Sequence, residues 1–194
     1  MAMQVNTMDY YLDIGLLSDP DFVPSMLMNA LFSKLHRALV EHPELTVAVS
    51  FPQYSLAQRE LGGYLRLHGN QQDLESLQST QWLTGMRDHV SCKAVLPVPA
   101  HTEYVFVQRV QAKSNVERLV RRSAKRKGID EAEARINYQT AKPEKLRLPF
   151  ITLNSQSSGQ RFALFIKQSK PQQTAQTGAF NRYGLSQTAT LPWF

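Results

Sequence analysis

The feature that most restricts the fold is the order of apolar segments in the first hundred residues. A β-prone run precedes a helical segment in which Leu27, Leu31 and Leu35 recur at helical spacing. In chain order the segments are a strand at Tyr10–Leu16, a helix from Pro24, strands at Leu45–Phe51 and Gly62–Gly69, a helix at 71–89 and a strand at 90–99. This β-α-β-β-α-β order predicts a ferredoxin-like domain, an arrangement used by many RNA-binding domains and many enzymes.

The remainder of the chain predicts a second mixed domain after a boundary at Ala100–Thr102, which follows two prolines. A strand in "EYVFVQRVQAKS" leads into a basic helix, and "DEAEARI" predicts a short acidic helix. A hairpin is predicted around "SQSSGQ", followed by a polar loop and a final strand. The predicted fold class is α+β, with an N-terminal ferredoxin-like (RRM-like) domain and a basic C-terminal α+β domain.

Several protein classes are disfavoured by what the sequence lacks. No run approaches the roughly 18 consecutive apolar residues of a membrane span, and the N-terminus shows no secretory signal pattern. Cys92 is the only cysteine, so an internal disulfide or a cysteine-based metal cluster is not expected. We therefore expect a soluble cytoplasmic protein that does not bind membranes.

Charge is distributed unevenly along the chain. Residues 1–100 carry six Lys/Arg and ten Asp/Glu, whereas residues 101–194 carry sixteen Lys/Arg and six Asp/Glu. A strongly basic half joined to an acidic half indicates that the basic half binds a polyanion. The alternative is a basic surface that only faces water.

The basic helix lies in "SNVERLVRRSAKRKG", residues 114–128. Ser114 and Glu117 form a capping-box pattern, and Gly128 suits the position after the last turn. At about 100° per residue, one arc carries the basic side chains Arg118, Arg121, Arg122, Lys125 and Arg126, and the opposite side carries Val116, Leu119, Val120 and Ser123. Like charges four residues apart repel each other, and a phosphate backbone would offset that repulsion. The pattern therefore favours nucleic-acid binding.

The segment before this helix bears on which nucleic acid is bound. A helix-turn-helix would require a second helix there, but a strand is predicted instead. Arg109 and Gln111 are two residues apart and share one face of that strand. Arginine and glutamine make common bidentate contacts with guanine and adenine, although an ordinary exposed strand end would show the same spacing.

The basic half has no dense cluster of acidic residues and histidines, so a nuclease that uses two metal ions is disfavoured. RNA carries its own nucleophile, the 2′-OH, so one general base and well-placed hydrogen bonds are sufficient to cut it. His36 lies on the first helix, away from the leucine stripe, and the core pattern does not require it. The hydroxyls of "NSQSSGQ" could bind ribose or phosphate, but such turns are usually only turns.

Taken together, these segments resemble the CRISPR repeat-processing endoribonucleases of type I-F systems. The matching segments, in order, are "DYYLDI", "LFSKLHRAL", "VSFP", "RVQAKSNVERL", "LPFITLNSQSSGQRFALFI", "YGLS" and "PWF". They extend over nearly the whole chain from Met8, where such proteins begin, so residues 1–7 are interpreted as an extension. The corresponding domains are residues 8–101, which carry the catalytic histidine, and 102–194, which bind the RNA stem.

The resemblance implies a role for individual residues. His36 matches the catalytic histidine that takes the proton of the 2′-OH, and Ser155 matches the serine that holds this hydroxyl. Ser157 and Tyr183 match residues that line the site, and Tyr183 would orient His36. Arg109 and Gln111 match residues that read base pairs at the foot of the repeat hairpin, and Phe162 matches an aromatic residue that stacks on the terminal pair. The helix that the family sets into the groove of the stem carries Arg118, Arg122, Lys125 and Arg126.

The implied reaction is metal-independent cleavage of precursor CRISPR RNA at the 3′ base of the stem, without a cofactor. In-line attack by the 2′-OH would leave a 2′,3′-cyclic phosphate and a 5′-OH. The product would stay bound within a guide-RNA surveillance complex, and the free protein is expected to be a monomer. His36 could serve as base, acid or both. The main alternative is a non-cleaving RNA-hairpin-binding subunit, and a DNA-binding regulator is a more distant one.

Overall fold

A computed structural model describes residues 8–111, 116–138, 146–155 and 159–194 of this chain. The protein has an α+β fold with antiparallel sheets and few helices. Its chain divides into two compact units, Met1–Arg109 with Leu148–Phe194, and Val110–Arg147. The predicted functional division at residue 102 stays a prediction.

The helices and strands follow the predicted order, except that two of the predicted strands are each divided into two. The strands are β1 (Tyr10–Leu16), β2 (Ala48–Ser50), β3 (Tyr64–Gly69), β4 (Val90–Cys92), β5 (Leu96–Pro97), β6 (Glu103–Val105), β7 (Val107–Val110), β8 (Phe150–Asn154), β9 (Arg161–Gln168) and β10 (Leu191–Trp193). The helices are α1 (Pro24–Glu41), α2 (Gln71–Ser79), α3 (Val116–Lys127) and α4 (Glu131–Ile136).

The largest sheet has the strand order β2-β3-β1-β4, and β5 also pairs with β1. All of its strand pairs are antiparallel. Helix α1 buries one apolar face in the main core, because its leucines recur every four residues, and Pro24 occupies its first turn. The buried residues of α1 are Leu27, Met28, Leu31, Phe32, Leu35, Ala38 and Leu39. The opposite side of α1 therefore remains available for a functional site.

Two smaller sheets complete the first unit. Strand β10 pairs with β6, and the third sheet has the order β7-β9-β8. The single strand predicted in "EYVFVQRVQAKS" is therefore wrong, because the chain leaves one sheet at Phe106 and enters another. The backbone N–H of Phe106 donates to Ser169 Oγ at 3.0 Å, which satisfies this donor at the break.

Other element bounds also differ from the prediction. The second helix was predicted to reach residue 89, but α2 ends at Ser79, because Gln81 and Gly85 adopt positive φ angles of 54° and 78° that no right-handed helix contains. A short 3-10 helix covers Arg87–His89. The predicted strand at 90–99 divides into β4 and β5, and the predicted second strand is reduced to Ala48–Ser50.

Arg66 and Asp13 form a buried ion pair in the main sheet. Arg66 donates to both carboxylate oxygens of Asp13, from Nε at 2.7 Å and from Nη2 at 3.0 Å. The same guanidinium lies 4.1 Å from the ring centroid of Phe194 and donates to its backbone oxygen at 3.1 Å. These contacts hold the last residue of the chain against β3.

The second unit is built around α3 and α4. Val120, Ala124 and Ala134 form its small buried cluster, and Ile129 and Tyr138 pack against them. Gly128 has a φ of 67°, so it ends α3 in the left-handed conformation predicted for that position. Ser114, the predicted cap, lies outside the described residues. Across the described ranges, no helix is both long and apolar enough to cross a bilayer.

Candidate active site

A cleft of about 380 Å³ lies in the first unit between α1 and the β8–β9 hairpin. Helix α1 contributes one side of it, and the ends of β8 and β9 contribute another. Its lining residues are Ser33, His36, Arg37, Leu153, Asn154, Ser155, Phe162 and Tyr183. Four residues predicted from the sequence, His36, Ser155, Phe162 and Tyr183, thus line one cleft although they come from distant parts of the chain.

His36 is held by a backbone carbonyl. Its position on α1 is away from the buried stripe, so the imidazole is half-buried at the surface of the helix. The Nδ1 atom lies 2.8 Å from the carbonyl oxygen of Arg182. Because a carbonyl only accepts hydrogen bonds, this contact requires a proton on Nδ1. In the neutral imidazole the Nε2 lone pair is then free to take a proton.

The ring of Tyr183 stacks on that of His36, with centroids 4.1 Å apart and planes inclined by 18°. On β7, Arg109 lies with its Cζ 5.6 Å from the Tyr183 ring centroid, within range of a cation–π contact. The backbone oxygen of Arg109 accepts a hydrogen bond from Gln187 Nε2 at 2.8 Å. Aromatic stacking and the carbonyl contact together fix the position of the His36 imidazole.

The turn that carries Arg182 and Tyr183 is closed by Asn181. Its Oδ1 accepts from the backbone N–H of Tyr183 at 2.8 Å and of Leu185 at 3.3 Å, and its backbone N–H donates to the Leu185 oxygen at 2.9 Å. Gly184 has a φ of 69°, and an added Cβ would lie 3.0 Å from Val49 Cγ1. The turn is therefore rigid, because it is tied at both ends and closely packed against β2.

Ser155 follows β8 at the start of the hairpin turn. Its backbone N–H donates to the Gln160 oxygen at 2.9 Å, and its backbone oxygen accepts from the Gly159 N–H at 2.8 Å. Gly159 has a φ of 65°, a conformation that glycine adopts without a Cβ penalty. This closure places Ser155 at the cleft. Ser157, the other predicted serine, lies outside the described residues.

Phe162 lies on β9 opposite Leu153 in the hairpin register. Its ring is partly buried and packs against the main core, while one side lines the cleft. An aromatic ring in this position offers a face on which a nucleotide base could stack. Phe162 therefore combines a structural contact with a surface facing the cleft.

The two predicted base-reading residues belong to different units of the chain. Arg109 contacts the cleft through Tyr183, as described above. Gln111 follows the end of β7 and is exposed. It belongs to the second unit. Its role in reading a base stays a prediction.

Helix α3 presents an exposed basic surface. Arg121, Arg122, Lys125 and Arg126 are exposed, whereas Val120 and Ser123 are 1% and 4% exposed. The division between a basic and a packed face that the helical wheel predicted is confirmed for these residues. The side chains of Val116 and Arg118 lie outside the described part of the structure.

Some cleft residues were missed by the sequence analysis. Two of them are Ser33 and Arg37 of α1. They lie three residues before and one residue after the predicted His36, a spacing that places all three side chains on one face of the helix. The Arg182 carbonyl leaves no mark in a sequence, because every residue carries one. The Asn181–Gly184 pair is a recognisable turn pattern.

Over the described ranges, no group of three or more His, Cys, Asp or Glu could hold a metal ion.

Comparison with known proteins identifies relatives over nearly the whole chain. The family model described as CRISPR-associated protein (Cas_Csy4) matches residues 11–194. A protein of Pseudomonas aeruginosa (strain UCBPP-PA14) named CRISPR-associated endonuclease Cas6/Csy4 is 47% identical over 187 residues, covering 96% of this chain and 100% of that protein. A protein of the same name from Escherichia coli (strain UTI89 / UPEC) is 43% identical over the same length and coverage.

Proposed function

The chain belongs to the Cas_Csy4 family of CRISPR-associated proteins, and we propose from that premise that it is the endoribonuclease that processes CRISPR repeat RNA in a type I-F system. The supporting observation is the cleft in which His36, Ser155, Phe162 and Tyr183 meet. In this proposal the enzyme binds the repeat hairpin and cuts precursor RNA at the 3′ base of the stem. The cut is independent of metal and needs no cofactor.

The proposed general base is His36 Nε2. The contact between Nδ1 and the Arg182 carbonyl favours the tautomer in which Nε2 lacks a proton. Nε2 takes the proton of the ribose 2′-OH, and the 2′-oxygen attacks the adjacent phosphorus in line. The bond from phosphorus to the 5′-oxygen breaks, and this oxygen leaves as a 5′-hydroxyl after it gains a proton from water or from the His36 imidazolium, which thereby returns to the neutral form. The other product end is a 2′,3′-cyclic phosphate.

Ser155 is proposed to hold the attacking 2′-OH by a hydrogen bond. Its place at the cleft, on the tightly closed start of the hairpin turn, suits that task. Ser157 is proposed, from the family resemblance, as a further residue that lines the site. General-base catalysis contributes about 10²–10⁴-fold, so much of the remaining acceleration comes from holding the ribose in the attacking geometry.

We propose that the basic face of α3 binds the RNA stem and that a second group of residues binds the open end of the stem. The major groove of A-form RNA is deep and narrow, so side chains normally contact its phosphate walls and not its base edges. The exposed Arg121, Arg122, Lys125 and Arg126 suit phosphate contacts, and Arg118 is assigned the same role. At the open end of the stem, Arg109 and Gln111 would read base edges and Phe162 would stack on the terminal pair.

The proposal extends to the fold and to the cellular setting. The sheet order β2-β3-β1-β4 with one helix in each crossover is compatible with a ferredoxin-like N-terminal domain. We assign the catalytic histidine to residues 8–101 and stem binding to residues 102–194. The cytoplasmic protein would be a monomer before it binds RNA, and would then remain with the mature guide RNA as a subunit of the type I-F surveillance complex.

A cleavage assay with excess EDTA tests this proposal. We expect hairpin RNA to be cut at one position, and His36→Ala to abolish cutting while the RNA is still bound. Replacing the ribose at the cut site by 2′-deoxyribose should also stop the reaction. Wild-type protein that binds the hairpin without cutting it would instead indicate a non-cleaving subunit. Cutting of the 2′-deoxy RNA would exclude attack by the 2′-OH.

A further inference from the structure

We infer that Arg37 is a further catalytic residue, which contacts the scissile phosphate and stabilises its negative charge during the reaction. The inference rests on the proposed function of the cleft. It concerns a residue next to the general base that falls in the matching segment "LFSKLHRAL" but was given no role in the predicted site. Its basis is the position of Arg37 in the cleft and the absence of a carboxylate partner among the residues that the structure describes.

The position of Arg37 follows from the geometry of α1. Ser33 and Arg37 are four residues apart, and His36 is three residues after Ser33, so the three side chains share the helix surface that lines the cleft. Leu35 and Ala38, on either side of the His36–Arg37 pair, are buried in the core and fix the rotation of the helix. Arg37 is exposed, whereas Ser33 and His36 are half-buried. Its side chain therefore lies where the cleft opens to solvent.

No carboxylate of the described ranges neutralises the charge of Arg37. Glu41 lies one turn further along α1, at the spacing where helical ion pairs form, yet no ion pair within 4.0 Å joins Arg37 to a carboxylate in the described ranges. Among the described residues that line the cleft, Arg37 alone carries a permanent charge. The preceding basic residue of α1, Lys34, instead donates from Nζ to the Thr84 oxygen.

The reaction requires such a charge. When the 2′-oxygen attacks, negative charge builds up on the non-bridging phosphate oxygens, and His36 can move a proton but cannot also neutralise these oxygens. A guanidinium offers paired N–H donors that match two phosphate oxygens. Donors that contact the charge developing in a transition state typically change the rate by about 10²–10³-fold. A solvent-exposed arginine should contribute less, because water screens its charge.

Single-turnover cleavage of hairpin RNA by Arg37→Gln tests the inference, with binding of an uncleavable 2′-deoxy hairpin measured in parallel. We expect the rate at saturating enzyme to fall about 10- to 100-fold, with less than about a threefold change in Kd. Arg37→Lys should recover part of the rate, because it restores the charge but not the bidentate geometry. The shape of the pH–rate profile should not change, since the base is still His36.

Arg87→Gln is the matched control, because it removes the same charge from an exposed position of the first unit outside the cleft. It should cut and bind as the wild type does. A rate for Arg37→Gln within twofold of the wild type would overturn the inference. So would a loss of affinity as large as the loss of rate, because Arg37 would then only bind RNA. If the wild-type protein itself does not cut, the proposed function fails and not this inference alone.

Discussion

The rings of His36 and Tyr183 stack with their centroids 4.1 Å apart, although α1 and the Tyr183 turn lie at opposite ends of the chain. The neighbouring carbonyl of Arg182 accepts from Nδ1 of the same imidazole. One turn thus supplies both the ring that packs against His36 and the hydrogen bond that selects its tautomer. The imidazole is oriented before any RNA binds.

Replacing Tyr183 separates the stacking contact from the hydroxyl group. Tyr183→Phe retains an aromatic ring and should cut hairpin RNA within about twofold of the wild type. Tyr183→Leu loses the stacking, worth about 0.5–1.5 kcal/mol between aromatic rings, so we expect a rate about 2- to 10-fold lower. Single-turnover kinetics at saturating enzyme would measure both. A large loss in Tyr183→Phe would show instead that the hydroxyl takes part.

Gly184→Ala should destabilise the turn that orients His36. The residue has a φ of 69°, and a new Cβ would lie 3.0 Å from Val49 Cγ1 and 3.2 Å from the Val47 oxygen. Gly85→Ala is the matched control, since Gly85 has a similar φ of 78° but an added Cβ meets only Lys34 Nζ, at 4.0 Å. Overpacking typically costs about 1–3 kcal/mol, so urea unfolding should show Gly184→Ala to be less stable than Gly85→Ala by at least about 1 kcal/mol. Equal losses would mean that backbone strain alone decides the cost.

Protonation of His68 should destabilise the protein in mild acid. Burial lowers the pKa of this histidine from 6.5 to about 3, with a smaller contribution from the charge of Arg66. Its Nε2 lies 2.8 Å from Ser50 Oγ, and its Nδ1 has no hydrogen-bond partner in the described part of the chain. Because the unfolded chain binds a proton at higher pH than the folded chain, stability is full above about pH 6.5 and falls by about 1.4 kcal/mol per unit toward pH 3.

Urea unfolding at pH 7 and pH 5 would measure this loss. The variant His68→Gln should show a smaller loss between these pH values than the wild type. His101→Asn should keep the wild-type loss, since His101 is exposed and asparagine tolerates its positive φ of 62°. An unchanged pH dependence in His68→Gln would assign the acid sensitivity to other groups.

The exposed face of α3 should contribute to RNA affinity through phosphate contacts. Arg122→Ala should lower the slope of log K against log salt by about 0.7–0.9, the value for one lost phosphate contact. Binding would be titrated with hairpin RNA at several salt concentrations. Arg87→Ala, which removes an exposed arginine from the 3-10 helix of the first unit, should leave the slope unchanged. An unchanged slope in Arg122→Ala would show that this side chain contacts no phosphate.

The positions of helices and strands were predicted well where apolar residues recur at a regular spacing. The strand at Tyr10–Leu16 and the helix from Pro24 were found at the predicted positions, because their side chains pack on a single face at a regular spacing. The end of α2 was missed, because the positive φ of Gln81 depends on how the following segment returns to the sheet and glutamine carries no signal for it. The division at Phe106 was missed for a similar reason, since partners more than 60 residues away select which sheet each half joins.

The candidate site was predicted in the same uneven way. His36 and Ser155 were identified by family resemblance, and the residues alone left His36 an unexplained side chain on a helix. Arg37 shares the helix face of His36 and lies in the same matching segment, but the resemblance implied no role for it. The alternation of buried and basic positions on α3 was read from the helical period, and the exposure of Arg122 and Lys125 agrees with it.

The sequence by itself determined the order of strands and helices and the two faces of α3, because these depend on residues that are near each other in the chain. It also determined the family, because family resemblance is carried by motifs along the whole sequence. Tertiary structure alone decided the environment of His36. The bond from its Nδ1 to the Arg182 oxygen spans 146 residues of sequence, and its acceptor is a backbone carbonyl that any residue would supply. Such a contact depends on where the folded chain places two distant segments, and no local pattern of side chains encodes it.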